Sequence, residues 1–487
     1  MKRITIDPIT RLEGHGKIEI FLNDYGEVSN AYFQVPELRG FEKFCEGRPV
    51  EELPAITAKI CGVCPGCHHM ASGKAVDVVF GVEPPPTAKK LRELFYMAHF
   101  VHSHIAHFYA LAAPDFVVGP DAPPEKRNIL GVIEKVGREI GTEVIRQRRI
   151  AQEIQALLGG HQTFVVMNIP GGVRKGLSEQ ERDDIVAKAK GFVEFAKFSL
   201  GIFEDFVLKN DKYVELILNG PYSLKLHSMG LVDVNNKVNF YDGKVRVVDT
   251  EGKELYKYAP SEYLDFVTER VEPWSYLKFP YLKKIGWKGF VDGQNSGVYH
   301  ATPLSRLNAA DGMATPLAQK EYERMYSTLG GKPVHATLAM HWARLVELLY
   351  AAEHCLELAM DPDITGKELR APLGPIPGEG VGIVEAQRGT LTHHYWTDDK
   401  GIVTKVNLIV GTTNNHAAIS MSIKKAAEGV IKKGVEVTDG MLNMIEMAFR
   451  AYDPCFSCAT HCLPGEMPMI LEIRESSGEL VKRVVRN

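Results

Sequence analysis

The sequence predicts an α+β protein, mainly α, in which long helices form a bundle core and small β-sheets lie at its periphery. Three observations carry this. Apolar residues recur at helical spacing through long stretches in both halves of the chain. Short alternating runs flank turn residues at the N-terminus and in the middle. Pro and Gly gather between these segments and punctuate them.

In chain order, alternation over Lys17 to Leu22, a turn at Asn23-Asp24-Tyr25-Gly26 and alternation over Val28 to Val35 predict a hairpin inside an N-terminal β region, 1–50. Thr87 to Ala113, Arg127 to Leu158 and Ser178 to Leu208 have helical spacing. Residues 212–258 carry short β-like runs broken by Asp242-Gly243 and Glu251-Gly252, a peripheral β insertion. Two further helical stretches, about 336–360 and 416–450, surround a Gly- and Pro-rich loop (Pro372 to Gly382) and a hairpin turning at Asp398-Asp399-Lys400-Gly401. The last helix runs into Cys455. No internal repeat or low-complexity tract interrupts this order, so residues 1–461 read as one interwoven unit, followed by a C-terminal extension, 462–487.

With 45% hydrophobic and 24% charged residues the composition is that of a globular protein, and a net charge of -4 gives no footprint for nucleic acid or an anionic membrane. No apolar run reaches the roughly 18 residues of a membrane span, and the N-terminus lacks the apolar core of an export signal. The expected location is cytoplasmic. Eight cysteines in such a chain argue against a disulfide framework and for reduced thiols.

Four of those thiols form two Cys-x-x-Cys pairs, Cys61/Cys64 and Cys455/Cys458, with most of the chain between them. If the pairs meet, they make a four-thiolate pocket for a soft metal. On spacing alone zinc, another metal and unligated thiols all stay open. The flanking residues narrow the choice. One stretch reads Lys59-Ile60-Cys61-Gly62-Val63-Cys64-Pro65-Gly66-Cys67-His68, the other Asp453-Pro454-Cys455-Phe456-Ser457-Cys458-Ala459-Thr460-His461. Together with Arg11-Leu12-Glu13-Gly14-His15 and Arg39-Gly40-Phe41-Glu42, the chain resembles the large, catalytic subunit of nickel-iron hydrogenases, and the resemblance runs through its whole length.

That resemblance implies the nickel-iron hydrogenase large-subunit fold, with Cys61, Cys64, Cys455 and Cys458 binding nickel. Cys64 and Cys458 would also bridge to an iron carrying one carbon monoxide and two cyanides. Glu13 is then the first proton acceptor beyond the nickel thiolates, where bare sequence would read a helix cap or salt-bridge carboxylate. Glu42, the carbonyl of Leu408 and His461 would hold a magnesium or iron ion; His461 alone would read as a plain buried histidine. Arg388 corresponds to the guanidinium over the open face of the metals, Thr412 to a hydrogen-bond donor for a cyanide, and His68 to a supporting histidine beside the cofactor. The implied reaction is reversible heterolysis of hydrogen, with Cys455 or Arg388 as the base.

Several positions depart from the family pattern. Gln387 replaces the usual Pro, Lys59 the usual Arg, and Ser103 an Asp found in many membrane-bound relatives, while Cys67 is an extra thiol read as incidental. His99, His102, His104 and His107 lie at neighbouring helical positions and read as hydrogen-bonded packing residues, not as a second metal site.

The remaining cysteines, Cys45, Cys67, Cys355 and Cys462, lack iron-sulfur spacing, so no iron-sulfur cluster is expected in this chain. The electrons then require an iron-sulfur small subunit, with further electron-transfer subunits, a flavoprotein or heterodisulfide reductase, behind it. NAD(P), a deazaflavin or a heterodisulfide reductase system is the acceptor. By resemblance a maturation endopeptidase removes 462–487, whose Met469–Ile473 and Leu480–Val485 runs predict a hairpin. Two other readings compete: a metal-free subunit of the kind found at the quinone site of respiratory complex I, and a structural zinc protein.

Overall fold

The computed structural model describes residues 2–376, 378–460, 469–474 and 480–486. The chain opens with an antiparallel three-stranded sheet, β1 (Lys2–Ile6), β2 (Lys17–Leu22) and β3 (Val28–Gln34), in the order β1-β2-β3. The β2–β3 hairpin closes on Gly26 at φ +80 with Gly26 N–H donating to Asn23 O, as the turn residues predict. Strands β2 and β3 bury alternate residues, Ile18, Ile20, Leu22, Ala31 and Phe33, against the core.

Helices α1 (Pro65–Val79), α2 (Pro86–Ala106), α3 (Arg138–Gly159), α4 (Glu179–Phe203) and α5 (Met340–Met360) build the bundle. Helix α5 packs between α4 and α2 and is buried on nearly all sides, its apolar residues interspersed with buried charged groups such as Glu347, which is paired with Arg306. Helix α4 starts on a capping box, Ser178 with Glu181. The expected helix over 127–158 is two helices, Ile129–Val136 and α3, because Gly137 adopts φ +98 and breaks the ladder. Beyond Ala106 the chain winds on as wider π-type turns to Val118 and stops at Gly119, φ +110. The stretch 416–450 likewise divides, into α6 (His416–Val430) and α7 (Asp439–Arg450).

The 212–258 segment differs from its sequence reading. It begins as a helix, Asp211–Asn219, and continues into a four-stranded sheet of β4 (His227–Val232), β5 (Lys244–Val248), β6 (Glu254–Tyr258) and the distant β7 (Tyr299–His300), in the order β7-β4-β5-β6. Strand β4 is buried along its whole length, so at least this part of the insertion is core.

A third sheet, β8 (Glu379–Ala386), β9 (Gly389–Thr397) and β10 (Val403–Ile409), runs antiparallel in that order. Strand β8 occupies part of the expected Gly-rich loop. Its glycines serve close approach: a Cβ on Gly380 would lie 2.3 Å from Ala75 O, and one on Gly382 would lie 2.1 Å from Ala71 O. Strand β8 therefore lies directly on α1, the helix that follows the first cysteine pair. In the tail, Met469–Arg474 and Leu480–Arg486 pair antiparallel.

Candidate metal centre

Local structure fixes both cysteine pairs. Cys61 follows a single 3-10 turn (Ala58–Ile60), and Cys64 is the N-cap of α1 with Pro65 as the first helical residue. The second pair follows α7 through a turn closed by Asp453 N–H donating to Arg450 O, with Asp453 at φ +53. The two loops meet. Cys61 Sγ lies 3.2 Å from Cys455 Sγ, and Cys458 Sγ lies 3.0 Å from both Cys64 Sγ and Cys455 Sγ. All four sulfurs fall within 4.8 Å of one another and are buried.

The N-terminal loop locks onto the second pair. Phe456 N–H donates to Glu13 O at 3.0 Å, and Glu13 Oε2 accepts from Ser457 N–H and Cys455 Sγ–H, each at 3.0 Å. Gly14 at φ +84 permits this contact, since a Cβ there would meet Phe456 Cβ at 2.9 Å. Arg11 anchors the loop from behind, donating to Leu111 O at 2.9 Å and to Asp115, which also pairs with Arg450 at 3.2 Å. Arg39 ties the two cysteine loops from outside. Its guanidinium donates to Ile60 O and, at 3.1 Å, to Ser457 O, while its own N–H donates to Thr460 O at 2.9 Å.

Arg388 is presented by a two-residue turn, Gln387-Arg388, between β8 and β9. This turn is not legible in the sequence. Its signal is Gly389, which sits at φ +142 with Ala301 O and Gly411 O each 2.4 Å from where a Cβ would stand. The guanidinium donates to Asp453 Oδ1 at 3.1 Å, lies 3.0 Å from Oδ2 in the same ion pair, and reaches Ser103 Oγ at 3.4 Å. Burial alone would lower its pKa, but Asp453 and the cavity sulfurs outweigh burial and hold it firmly charged. Arg388, Thr412, His68 and Cys67 line one small cavity together with three of the metal-type cysteines, Cys64, Cys455 and Cys458. Thr412 Oγ1 accepts from Cys455 N–H at 3.1 Å, leaving its own proton to donate. His68 is fully buried, and that burial lowers its pKa to about 4, so it is neutral.

The sulfurs fit a metal. Their mutual distances suit an ion bonded to each at roughly 2.3 Å. Their electrostatics demand one as well. Hydrogen bonds from the neighbouring thiols, that of Cys455 first, hold Cys61 well below the thiol range, whereas burial pushes Cys455 and Cys458 well above it. Four buried thiolates cannot coexist unless a cation compensates them.

Comparison with known proteins agrees. The nickel-dependent hydrogenase family matches residues 39–124 and 232–461, and a HoxL-like family matches residues 3–38. Over 99% of both chains, the protein is 50% identical to a chain of Archaeoglobus profundus named as an iron-sulfur subunit of its F420-non-reducing hydrogenase. It belongs to the nickel-dependent hydrogenase family. It is 38% identical to the NAD-reducing hydrogenase HoxS subunit beta of Cupriavidus necator across the full length of both. A crystal structure of an NAD+-reducing [NiFe]-hydrogenase in the H2-reduced state superposes with a TM-score of 0.89, at 38% identity over 95% of this chain and 100% of that one.

This hydrogenase chain is therefore the large catalytic subunit of a [NiFe] enzyme, and the convergent cysteines leave the metal-free reading without support. His99, His102, His104 and His107 are all engaged: with Gln155 at 2.9 Å, Arg148 at 3.3 Å, Glu347 at 3.1 Å and Arg450 O at 3.1 Å. Cys67 stands apart from the four sulfurs and donates to Gln387 Oε1 at 2.9 Å. At the expected second ion site, Glu42 is buried and accepts from Leu408 N–H at 2.8 Å, with Lys278 Nζ 3.9 Å away. His461, the third residue expected there, lies outside the described residues. No helix among the described residues is long and apolar enough to cross a membrane.

Proposed function

We propose that this subunit catalyses reversible heterolysis of hydrogen at a nickel-iron centre, which Cys61, Cys64, Cys455 and Cys458 would hold through nickel and Cys64 and Cys458 would share with the iron. When bound, the centre supplies the Lewis acidity and electron-accepting capacity that the split requires. Thr412, whose hydroxyl proton is left to donate, would hydrogen-bond a cyanide of the iron. Arg388 places a fixed cation over the cavity and is itself held by Asp453 and Ser103. His68 supports the cavity wall.

One observation carries the proton route: Cys455 Sγ–H already donates to Glu13 Oε2 at 3.0 Å. Cys455 takes the proton and Glu13 receives it, a transfer within hydrogen-bond reach. The electrons leave to an iron-sulfur small subunit, consistent with relatives named as single subunits of larger hydrogenases. Further electron-transfer subunits pass them to NAD(P), a deazaflavin or a heterodisulfide reductase system. Glu42, Leu408 and His461 hold a magnesium or iron ion. Residues 1–461 act as one catalytic unit in the cytoplasm, and a maturation endopeptidase removes 462–487.

Metal analysis with infrared spectroscopy of the purified complex tests the assignment. Nickel and iron near one each, with bands of metal-bound carbon monoxide and cyanide, are expected. Zinc in their place would overturn it.

A further inference from the structure

Asn415 is a buried amide that ties together three chain segments meeting at the Arg388 turn. Its Nδ2 donates to Arg388 O at 3.0 Å, Ala301 O at 3.2 Å and Gly411 O at 3.3 Å, and its Oδ1 accepts Ala301 N–H at 2.8 Å. The partners fix which way the amide points. A main-chain N–H can only donate and a carbonyl can only accept, so the oxygen faces Ala301 N–H and the nitrogen faces the carbonyls. Gly389 packs onto two of those same carbonyls, Ala301 O and Gly411 O, each 2.4 Å from where a Cβ would stand.

Asn415 is also the N-cap of α6, a place where asparagine is favoured because its oxygen usually accepts from the first turn of its own helix. Here it makes no such bond. The side chain turns away from α6 and is committed to the segments around Arg388. Its neighbour Asn414 works in the same way on other atoms, donating to Thr390 O at 2.6 Å and Val410 O at 3.2 Å and accepting Tyr299 O–H at 2.5 Å. Asn414 thus joins β7 to β9 and to the end of β10, whereas Asn415 reaches the turn itself.

We infer that Asn415 is a positioning residue for Arg388: it clamps the main chain of the Gln387-Arg388 turn to the end of β7 and to Gly411, and so sets where the guanidinium stands over the metal cavity. Asp453 and Ser103 hold the guanidinium itself. Asn415 holds the backbone from which it hangs. Because Gly411 precedes Thr412, whose hydroxyl accepts Cys455 N–H at 3.1 Å, the same amide keeps the turn in register with the loop of the second cysteine pair.

The effect on turnover rests on the metal-site reading, but the clamp does not, and the experiment separates them. Asn415→Leu keeps the branched shape and removes all of these bonds. In the metal-free full chain, hydrogen–deuterium exchange read by mass spectrometry is expected to speed up in peptides carrying Ala301 and the 387–390 turn; unchanged exchange overturns the clamp. Asn415→Asp is the second variant: it keeps the acceptor for Ala301 N–H and loses the amide protons, so the turn alone is expected to loosen. In metal-loaded protein, Asn415→Leu is expected to lower turnover by roughly 10–10²-fold at retained nickel content, as a small displacement of the guanidinium would, and to move the infrared bands of the cyanides. In an Arg388→Ala background the same substitution is expected to change turnover little further, and an undiminished fall there overturns the link to Arg388. Tyr299→Phe removes the bond to Asn414 and leaves the clamp, so bands and turnover are expected to stay at their wild-type values; an equal displacement by this variant would show general loosening and overturn the inference. Faster exchange at the turn in a protein without carbon monoxide and cyanide bands would instead count against the metal-site reading.

Discussion

Cys455 Sγ and Glu13 Oε2 lie 3.0 Å apart although 442 residues separate them in sequence, and the same carboxylate oxygen accepts Ser457 N–H. Glu13 is thus oriented by the backbone of the loop that holds its donor. Glu13→Gln keeps an oxygen for the Ser457 amide but no longer takes up a proton. Hydrogen oxidation and hydrogen–deuterium exchange are expected to fall by roughly 10²–10⁴-fold with nickel content unchanged. Near-normal exchange in a nickel-replete variant would move the proton route elsewhere.

Cysteine substitution tests the cage. Cys458 Sγ touches two other sulfurs at 3.0 Å, so Cys458→Ser replaces a soft thiolate at the centre of the cluster with a hard, neutral hydroxyl. Nickel and iron content are expected to drop together in the purified chain. Cys67→Ser, whose sulfur is engaged with Gln387 Oε1 outside the four-sulfur cluster, is expected to leave both metals in place.

Arg388→Lys keeps the charge and loses the fork that reaches both oxygens of Asp453 and Ser103 Oγ. A fall of about 10²–10³-fold in turnover is expected from loss of one preorganised donor, with metal content retained. Turnover equal to wild type would show that charge alone suffices at this place.

The cysteine pairs are legible in the sequence because a soft metal needs sulfur atoms at a particular spacing, whereas Glu13, which bare sequence reads as a cap or salt-bridge carboxylate, is legible only by resemblance. Arg388 is legible by resemblance, but its turn is not. Strand β8 carries Gly380 and Gly382 where alternation would call for side chains, and those glycines answer to α1, a helix far away in sequence. The same reason hides Arg39, which binds Ile60 O and Ser457 O: a side chain that serves two remote carbonyls leaves no local pattern. The break at Gly137 is hidden for a different reason, since a single Gly within a periodic stretch is compatible with a continuous helix until its φ is known.

Arg306 sits behind the Arg388 turn, fully buried, bridging Glu347 at 2.7 and 2.8 Å and Glu385 at 2.9 Å. Arg306→Met leaves two buried carboxylates without their shared cation. A loss of about 3–5 kcal/mol is expected in denaturant unfolding of the purified chain. Arg306→Met/Glu347→Gln should recover part of it, because one stranded charge is then removed. If the single variant unfolds like wild type, the bridge contributes nothing to the fold.

His354, on α5, makes a pH-dependent contribution whose sign is fixed by its partners. Burial alone would lower its pKa, but Glu357 at 3.2 Å and Glu93 at 3.3 Å prevail and raise it from 6.5 to about 9. A folded-state pKa above the unfolded one means that the stabilisation is fully present below pH 6.5 and drains away as pH rises through about 9. The shift corresponds to on the order of 3 kcal/mol at its acid plateau. His354→Gln should therefore be clearly destabilising in unfolding measured at mildly acidic pH and nearly neutral well above the folded pKa. A penalty that is the same on both sides of that window would show that His354 acts by packing against Tyr350, whose ring stacks on it at 5.7 Å, and not by its charge.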